Sequence, residues 1–346
     1  MFVCRQLQCF KFKYLLLFVL VTCFTLVIFF FVNKSSINIS PLAIGIETIS
    51  TSSINTTRHL SKVNTSNCLQ SDTRPFFEQE YPQTNLPQRI SNSSYQNILH
   101  QLHSLRLIVV ACAHNVESEI KNYRSHMEPI LDLSHSSSRI LICESDSTDK
   151  TLEKLHQWSR AQVYTFGNMM KSYPERTHRL AFCRNTLLNK THDLKADYIL
   201  VTDFDRFPIT VPSFLANFRY NIDDWSVMTA SPSDYYYDIW ALRTLSDSVM
   251  NYDVWRRIGD LERSGKNYCG GKLVDLIITI HQKYMPIEYG LLEVRSAFGG
   301  SALYKVNSTY GYQYDGATCE HVSFHLCIRK KIKEEFLLIR NFKLNK

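Results

Sequence analysis

The residues best placed to do chemistry are two carboxylates at the end of an apolar run. Tyr198-Ile199-Leu200-Val201 leads directly into Thr202-Asp203-Phe204-Asp205. In an extended strand, residues i and i+2 point to the same side, so Asp203 and Asp205 would converge on one hard cation. Mg²⁺ or Mn²⁺ suits such oxygen ligands, keeps several waters and is completed by substrate phosphates. The plainer reading is a pair of solvated turn acids. The buried strand before them favours the metal.

Three further clusters mix charge with aromatic rings. Tyr235-Tyr236-Tyr237-Asp238-Ile239-Trp240-Ala241-Leu242-Arg243 offers ring faces that suit sugars. Asp238 and Arg243 there would hydrogen-bond hydroxyls or phosphate, with ordinary core packing of Tyr and Trp as the alternative. In Cys319-Glu320-His321-Val322-Ser323-Phe324-His325, Glu320 would act as base on an acceptor hydroxyl or orient the acceptor. His325, or His321, would complete a metal shell or bind a phosphate oxygen. If this segment is a strand, His321, Ser323 and His325 share one face and Glu320 takes the other. Arg176, His178 and Arg179 open a helical pattern, where a helix N-terminus attracts anions. Gly299-Gly300 suggests a tight turn with close backbone approach.

The elements that must position these groups follow from the apolar pattern. Residues 105–113, LRLIVVACA, form a continuous β-branched run, as in a strand buried on both faces. Residues 138–145, 161–166 and 197–205 give three more strands. Helical spacing runs through Leu152, Leu155 and Trp158, and again through Leu180, Cys183, Leu187 and Leu188. Strands alternating with helices imply an α/β domain over 105–328 with a mostly parallel sheet flanked by helices. Ligands in such sheets sit at the carboxyl ends of strands, which is where 144–149 and 203–205 fall.

The ends of the chain are different in character. Residues 14–32 contain no charge, and a helix of that length spans about 28 Å, the depth of a bilayer core. Arg5, Lys11 and Lys13 precede the run and only Lys34 follows it closely. The positive-inside rule therefore keeps residues 1–13 cytosolic and sends the rest across as a single-pass type II protein. Residues 33–104 read as a lumenal stem, Ser/Thr-rich at first and then broken by Pro75, Pro82 and Pro87. Sequons at Asn33, Asn38, Asn55, Asn64, Asn92, Asn189 and Asn307 all follow the span. So do seven of the ten cysteines, an odd number that allows a disulfide-linked homodimer in an oxidising lumen. Residues 329–346 carry seven Lys/Arg and read as a basic, solvated helical tail. Residues 14–328 then hold 29 Lys/Arg against 30 Asp/Glu, which excludes a nucleic-acid-binding core.

Anchor, stem, parallel α/β domain and strand-terminal Asp-x-Asp together resemble a Golgi glycosyltransferase of the GT-A fold, over residues 105–328. The segment 176–185, RTHRLAFCRN, followed by the Asp-x-Asp strand, resembles fungal-type capsule-associated α-1,3-mannosyltransferases. The resemblance implies that Asp203 and Asp205, with a C-terminal histidine such as His325, hold Mn²⁺ or Mg²⁺ on a UDP- or GDP-sugar. It further implies that Glu144 and Asp146 meet the nucleoside and that Arg184-Asn185 face the diphosphate. The turn at 297–304 would line the side of a glycan or glycoprotein acceptor. Location would be the Golgi membrane, with the endoplasmic reticulum as the other compartment. The main rival is an inactive sugar-binding or scaffold subunit of a glycosyltransferase complex, whose signature would be a degraded Asp-x-Asp. A two-metal hydrolase would need more acids and histidines at several strand ends. An adhesion module would need all-β alternation.

Overall fold

The computed structural model describes residues 72–82, 84, 86–205, 209–232, 234–265, 272–331 and 336–341. The expected membrane span at 14–32 lies outside them, as does the stem up to residue 71. Among the described residues no helix is long and apolar enough to cross a membrane.

In chain order the main elements are α1 (Asn92–Leu102), β1 (Leu107–Ala113), α2 (Ile120–Asp132), β2 (Arg139–Glu144), α3 (Thr151–His156), β3 (Ala161–Thr165), α4 (Arg176–Asp193), β4 (Tyr198–Thr202), α5 (Val211–Ala216) and β5 (Trp225–Ser231). They are followed by α6 (Val254–Arg263), α7 (Leu273–Ile277), β6 (Leu291–Val294), β7 (Ser301–Lys305), α8 (Val306–Thr309), α9 (Glu320–Lys331) and β8 (Phe336–Asn341). One sheet runs β3-β2-β1-β4-β7-β5-β8-β6. β1 pairs in parallel with β2 and β4, and β2 with β3. β7 is antiparallel to β4 and to β5.

The period-2 alternation of the strands builds a core on each face. Ile108 and Val110 of β1, Leu141 and Cys143 of β2, and Ile199 and Val201 of β4 enter one cluster with Ala181, Cys183, Leu187 and Leu188 of α4. Leu107, Val109, Ala111, Ile140, Ile142, Tyr198 and Leu200 enter the other, under Tyr123, Met127, Ile130 and Leu131 of α2. The fully apolar runs seen in the sequence are thus strands covered on both sides, as a parallel sheet requires.

Four expectations need correction. β4 ends at Thr202, so Asp203 and Asp205 stand in the loop beyond the strand. The segment from Glu320 is neither strand nor loop but the start of α9, which places Glu320 and His321 in its first turn. Residues 72–104 are not wholly stem: Phe76 and Phe77 are buried in the core, and the Tyr81 hydroxyl donates to the Glu293 carbonyl. The C-terminal tail is no solvated appendage. α9 runs to Lys331, and β8 inserts in the sheet, parallel to β5 and antiparallel to β6.

Because β8 is the link between β5 and β6, deleting residues 336–346 exposes two strand edges at once. The truncated chain is expected to melt about 10 °C or more below the full chain, or to aggregate. Thermal unfolding followed by circular dichroism measures this. An unchanged midpoint would refute the inserted strand.

Candidate functional site

A cleft of about 700 Å³ opens at the carboxyl ends of β1, β2 and β4. It lies where the strand order turns back on itself, the crevice that open α/β sheets use for ligands. Cys112 and Ala113 of β1, Cys143 of β2 and Asp203 form its floor. Arg176, Arg179 and Arg184 come from α4, while Asp238, Phe298, Glu320 and His321 close the other side.

Arg184 is the centre of this arrangement. It is 4% exposed, and its Nε donates to Glu320 Oε1 at 2.9 Å while Nη2 donates to Asp203 Oδ1 at 3.2 Å. Burial alone would lower its pKa, but the facing carboxylates of Glu320 and Asp203 more than offset that and hold it cationic. One residue earlier, the Cys112–Cys183 disulfide ties α4 to the end of β1. With the two cysteines 71 positions apart in the sequence, chain-entropy arguments give this cross-link roughly 4 kcal/mol.

The acids around Arg184 outnumber the cations. Glu119, Asp146, Asp203, Asp205, Asp238 and Glu320 face the cleft, against three arginines. Asp203 is pushed up to about 6, first by burial and then by Glu320 and Asp205, with Arg184 opposing. Asp238 is likewise pushed up to about 6 by burial, although the Gly299 N–H bonds its Oδ2 at 3.1 Å and the Ala241 N–H its Oδ1 at 3.3 Å. Left alone, this cleft repels a diphosphate. A divalent cation would reverse that.

The residues present fit such an ion. His321 is 2% exposed, lines the cleft, and has no hydrogen-bond partner on either ring nitrogen. Glu320 Oε1 stands 3.6 Å from its Nε2, too far for a hydrogen bond. Burial, together with Arg184 and His325, drives the imidazole pKa far down, so the ring is neutral and keeps a lone pair for a ligand. Among the described residues no three His, Cys, Asp or Glu side chains converge into a ready-made metal cage. An ion there would draw the rest of its shell from phosphate oxygens and water, which is usual for Mg²⁺.

The remaining residues expected from sequence divide sharply. Asp146 faces the cleft at a positive φ of 61°, with Oδ1 accepting from the Met170 N–H at 3.0 Å and Oδ2 4.0 Å from Arg179 Nε. Burial would raise its carboxyl, but these groups and neighbouring backbone N–H donors pull it below its usual range. Glu144 is buried behind the cleft, where it accepts from the Ser147 N–H at 3.2 Å and the Thr165 hydroxyl at 2.6 Å. It shapes the loop that presents Asp146. Asn185 is spent on Tyr314, donating to its carbonyl at 3.0 Å and accepting from its N–H at 2.8 Å.

Two more expected residues lie outside the cleft lining. Arg243 is buried and donates to the carbonyls of Trp240 and Leu242 at 2.9 and 2.6 Å. His325 is fully buried, with Nδ1 on the Ser296 hydroxyl at 3.1 Å and Nε2 on the Tyr304 hydroxyl at 2.7 Å. Both of its nitrogens are engaged, so it cannot join Asp203 and Asp205 on a metal. His321, one helical turn earlier, faces the cleft instead. The signal for this helix was present in the turn residues Asp315, Gly316 and Thr318 before an acid that starts an α-helix. Sequence reasoning also passed over Glu119 in the lining.

No family model matches the chain, and no curated protein matches it. Among solved structures, a mycobacterial protein is 11% identical at a TM-score of 0.42, covering 74% of this chain and 72% of that one. Glucosyl-3-phosphoglycerate synthase from Mycobacterium tuberculosis, in complex with Mn²⁺, uridine diphosphate and phosphoglyceric acid, is 12% identical at a TM-score of 0.41, covering 71% and 73%. The same enzyme with Mg²⁺ and uridine diphosphate is 13% identical at a TM-score of 0.41, covering 74% and 76%. Likeness at this level carries no functional weight, and the functional reading rests on the cleft.

Two outcomes test the electrostatics. Arg184→Leu leaves Asp203 and Glu320 without their shared cation, and is expected to cost about 3–5 kcal/mol in urea unfolding. Asp238 behaves in the opposite way. Its carboxyl binds a proton near pH 6 when folded and near 3.8 when unfolded, so its contribution to stability is lost as pH rises through that window. Asp238→Asn is therefore expected to stabilise the metal-free protein at pH 7.5 by about 1–2 kcal/mol, discounted for partial exposure. The gain should vanish below about pH 4, as thermal unfolding in chelator will read.

Proposed function

We propose that the protein is a metal-dependent glycosyltransferase that moves a sugar from a nucleoside diphosphate donor to an acceptor hydroxyl. One observation carries this reading: an acid-rich cleft at the strand ends combines Asp203 and Asp205 with a neutral, buried and unpartnered His321. Asp203, Asp205 and His321, which do not converge in the metal-free cleft, would close on Mn²⁺ or Mg²⁺. When bound, the ion supplies positive charge to the departing diphosphate.

The chain's own groups do the rest. Arg184 holds Asp203 and Glu320 in fixed positions, since each carboxylate is hydrogen-bonded to the same guanidinium. Asp146 and Arg179 face the nucleoside end of the cleft. Glu320, committed to Arg184, does not serve as the base. That role falls to Asp238, which lines the cleft and whose carboxyl is pushed up to about 6. As the acceptor oxygen bonds to the anomeric carbon and the carbon–oxygen bond to the diphosphate breaks, the hydroxyl proton passes to the Asp238 carboxylate. Trp240 and Tyr237 line the same side and offer ring faces to an acceptor glycan or glycoprotein.

We extend the reading to the lumen of the Golgi or endoplasmic reticulum. The Cys112–Cys183 disulfide supports an oxidising compartment, and the apolar run at 14–32 supports a type II anchor. Mannose as the donor sugar rests on the resemblance carried by residues 176–185.

The test is donor turnover. The purified chain is screened against UDP- and GDP-sugars with Mn²⁺ and with chelator, beside Asp205→Asn and His321→Ala. One donor is expected to turn over only with metal, and each variant to lose roughly 100-fold or more. His325→Ala should retain metal dependence. Absence of Mn²⁺-dependent nucleotide binding by calorimetry would sink the donor site and leave the inactive scaffold subunit as the better reading.

A further inference from the structure

We propose that Phe298 is a positioning residue whose ring sets where His321 and Arg184 stand in the cleft. What those two groups hold rests on the glycosyltransferase reading, whereas the contacts themselves do not. The His321 imidazole stacks on the Phe298 ring with centroids 3.8 Å apart and planes 19° from parallel. The Arg184 guanidinium carbon stands 5.0 Å from the same ring centroid. Phe298 is 2% exposed and lines the cleft.

The two side chains are fixed by different contacts. Arg184 has its hydrogen bonds to Glu320 and Asp203, and cation–π contact adds to them. The His321 side chain has no hydrogen bond, so ring contacts rather than hydrogen bonds orient its nitrogens. Its other aromatic neighbours, Tyr314 and His325, lie farther off, each with centroids 5.6 Å away. Stacking on Phe298 is therefore the closest ring contact that aims the imidazole.

The ring itself is mounted on a backbone that cannot drift. The Phe298 carbonyl accepts from the Ala230 N–H at 3.3 Å. The next residue, Gly299, has φ +65°, and a Cβ there would fall 2.1 Å from the Ala230 carbonyl oxygen. Its N–H holds Asp238, and the Gly300 carbonyl accepts from the Asp203 N–H at 3.0 Å. One turn thus fixes the proposed base, one proposed metal ligand and the ring that orients another.

The experiment uses the full chain with ¹³C-labelled histidine, in which the His321 signal is assigned through His321→Gln. In metal-free wild type, the His321 imidazole protons are expected to show a ring-current shift larger than those of His325. Phe298→Met, which keeps the apolar bulk but removes the ring, should abolish that shift. It should also weaken Mn²⁺-dependent binding of uridine or guanosine diphosphate about tenfold in calorimetry, with chelator-insensitive binding unchanged. Phe298→Tyr should restore both readouts. A wild-type His321 signal no more shifted than that of His325, or a Met variant that keeps its shift or its affinity, overturns the proposal. If wild type binds neither nucleotide, the donor site falls, while the His321 signals still decide the role of Phe298. Should Phe298→Met not fold, the wild-type signals alone decide between support and refutation.

Discussion

One buried guanidinium is shared by two carboxylates, and the cleft is organised around that shortage of positive charge. Arg184 comes from a helix, Asp203 from the loop after β4, and Glu320 from the first turn of α9. These are parts of the chain far apart in sequence, brought together because a buried charge must be paired. Pairing with Arg184 accounts for only part of the negative charge. Asp205 and Asp238 lie in the same lining, and the raised proton affinities of Asp203 and Asp238 express the same imbalance. A cleft in this state is tuned for a ligand that brings positive charge with it.

The scaffold explains why the arrangement holds. The disulfide fixes α4 against the sheet one residue before Arg184, which sets the depth of the guanidinium. Loops after β1 and β2 are bound to each other, with the Asn115 N–H on the Ser147 hydroxyl at 3.1 Å and the Thr148 N–H on Asn115 Oδ1 at 2.8 Å. That zipper presents Asp146 at the rim. On the far side, Gly316 packs against His178 so closely that a Cβ would meet its backbone nitrogen at 2.7 Å, which joins the loop before α9 to the start of α4. Loops at strand ends are usually the mobile part of an α/β domain. Here they are cross-braced.

Buried thiols add to the cleft floor without adding reactivity. Cys143 stands beside Cys112 in the β1–β2 register, yet burial pushes its thiol up to about 12. Cys319 is raised by burial as well, with Glu320 and Asp238 adding to the effect. A thiol that cannot ionise is a poor nucleophile, so both act as small apolar fillers.

Local pattern alone determined the four parallel strands, the helix at 176–193 and the acidic strand end, because continuous β-branched runs and 3.6-residue spacing are short-range signals. It also picked out Asp203, Asp205, Asp238 and Glu320 as candidates, while Asp146 and Arg184 entered only through the resemblance to GT-A glycosyltransferases. Which partners they take was decided by tertiary structure. Glu144, Asn185, Arg243 and His325 have the right chemistry, but each spends its polar atoms on nearby backbone or side-chain groups, and nothing in their spacing announces this. The choice of His321 over His325 depends on α9 being a helix whose first turn meets the cleft. The placement of β8 between β5 and β6 depends on an open edge that exists only after the rest of the sheet has formed. Residue type fixes what a side chain can do, and long-range packing fixes which of its possible partners is within reach.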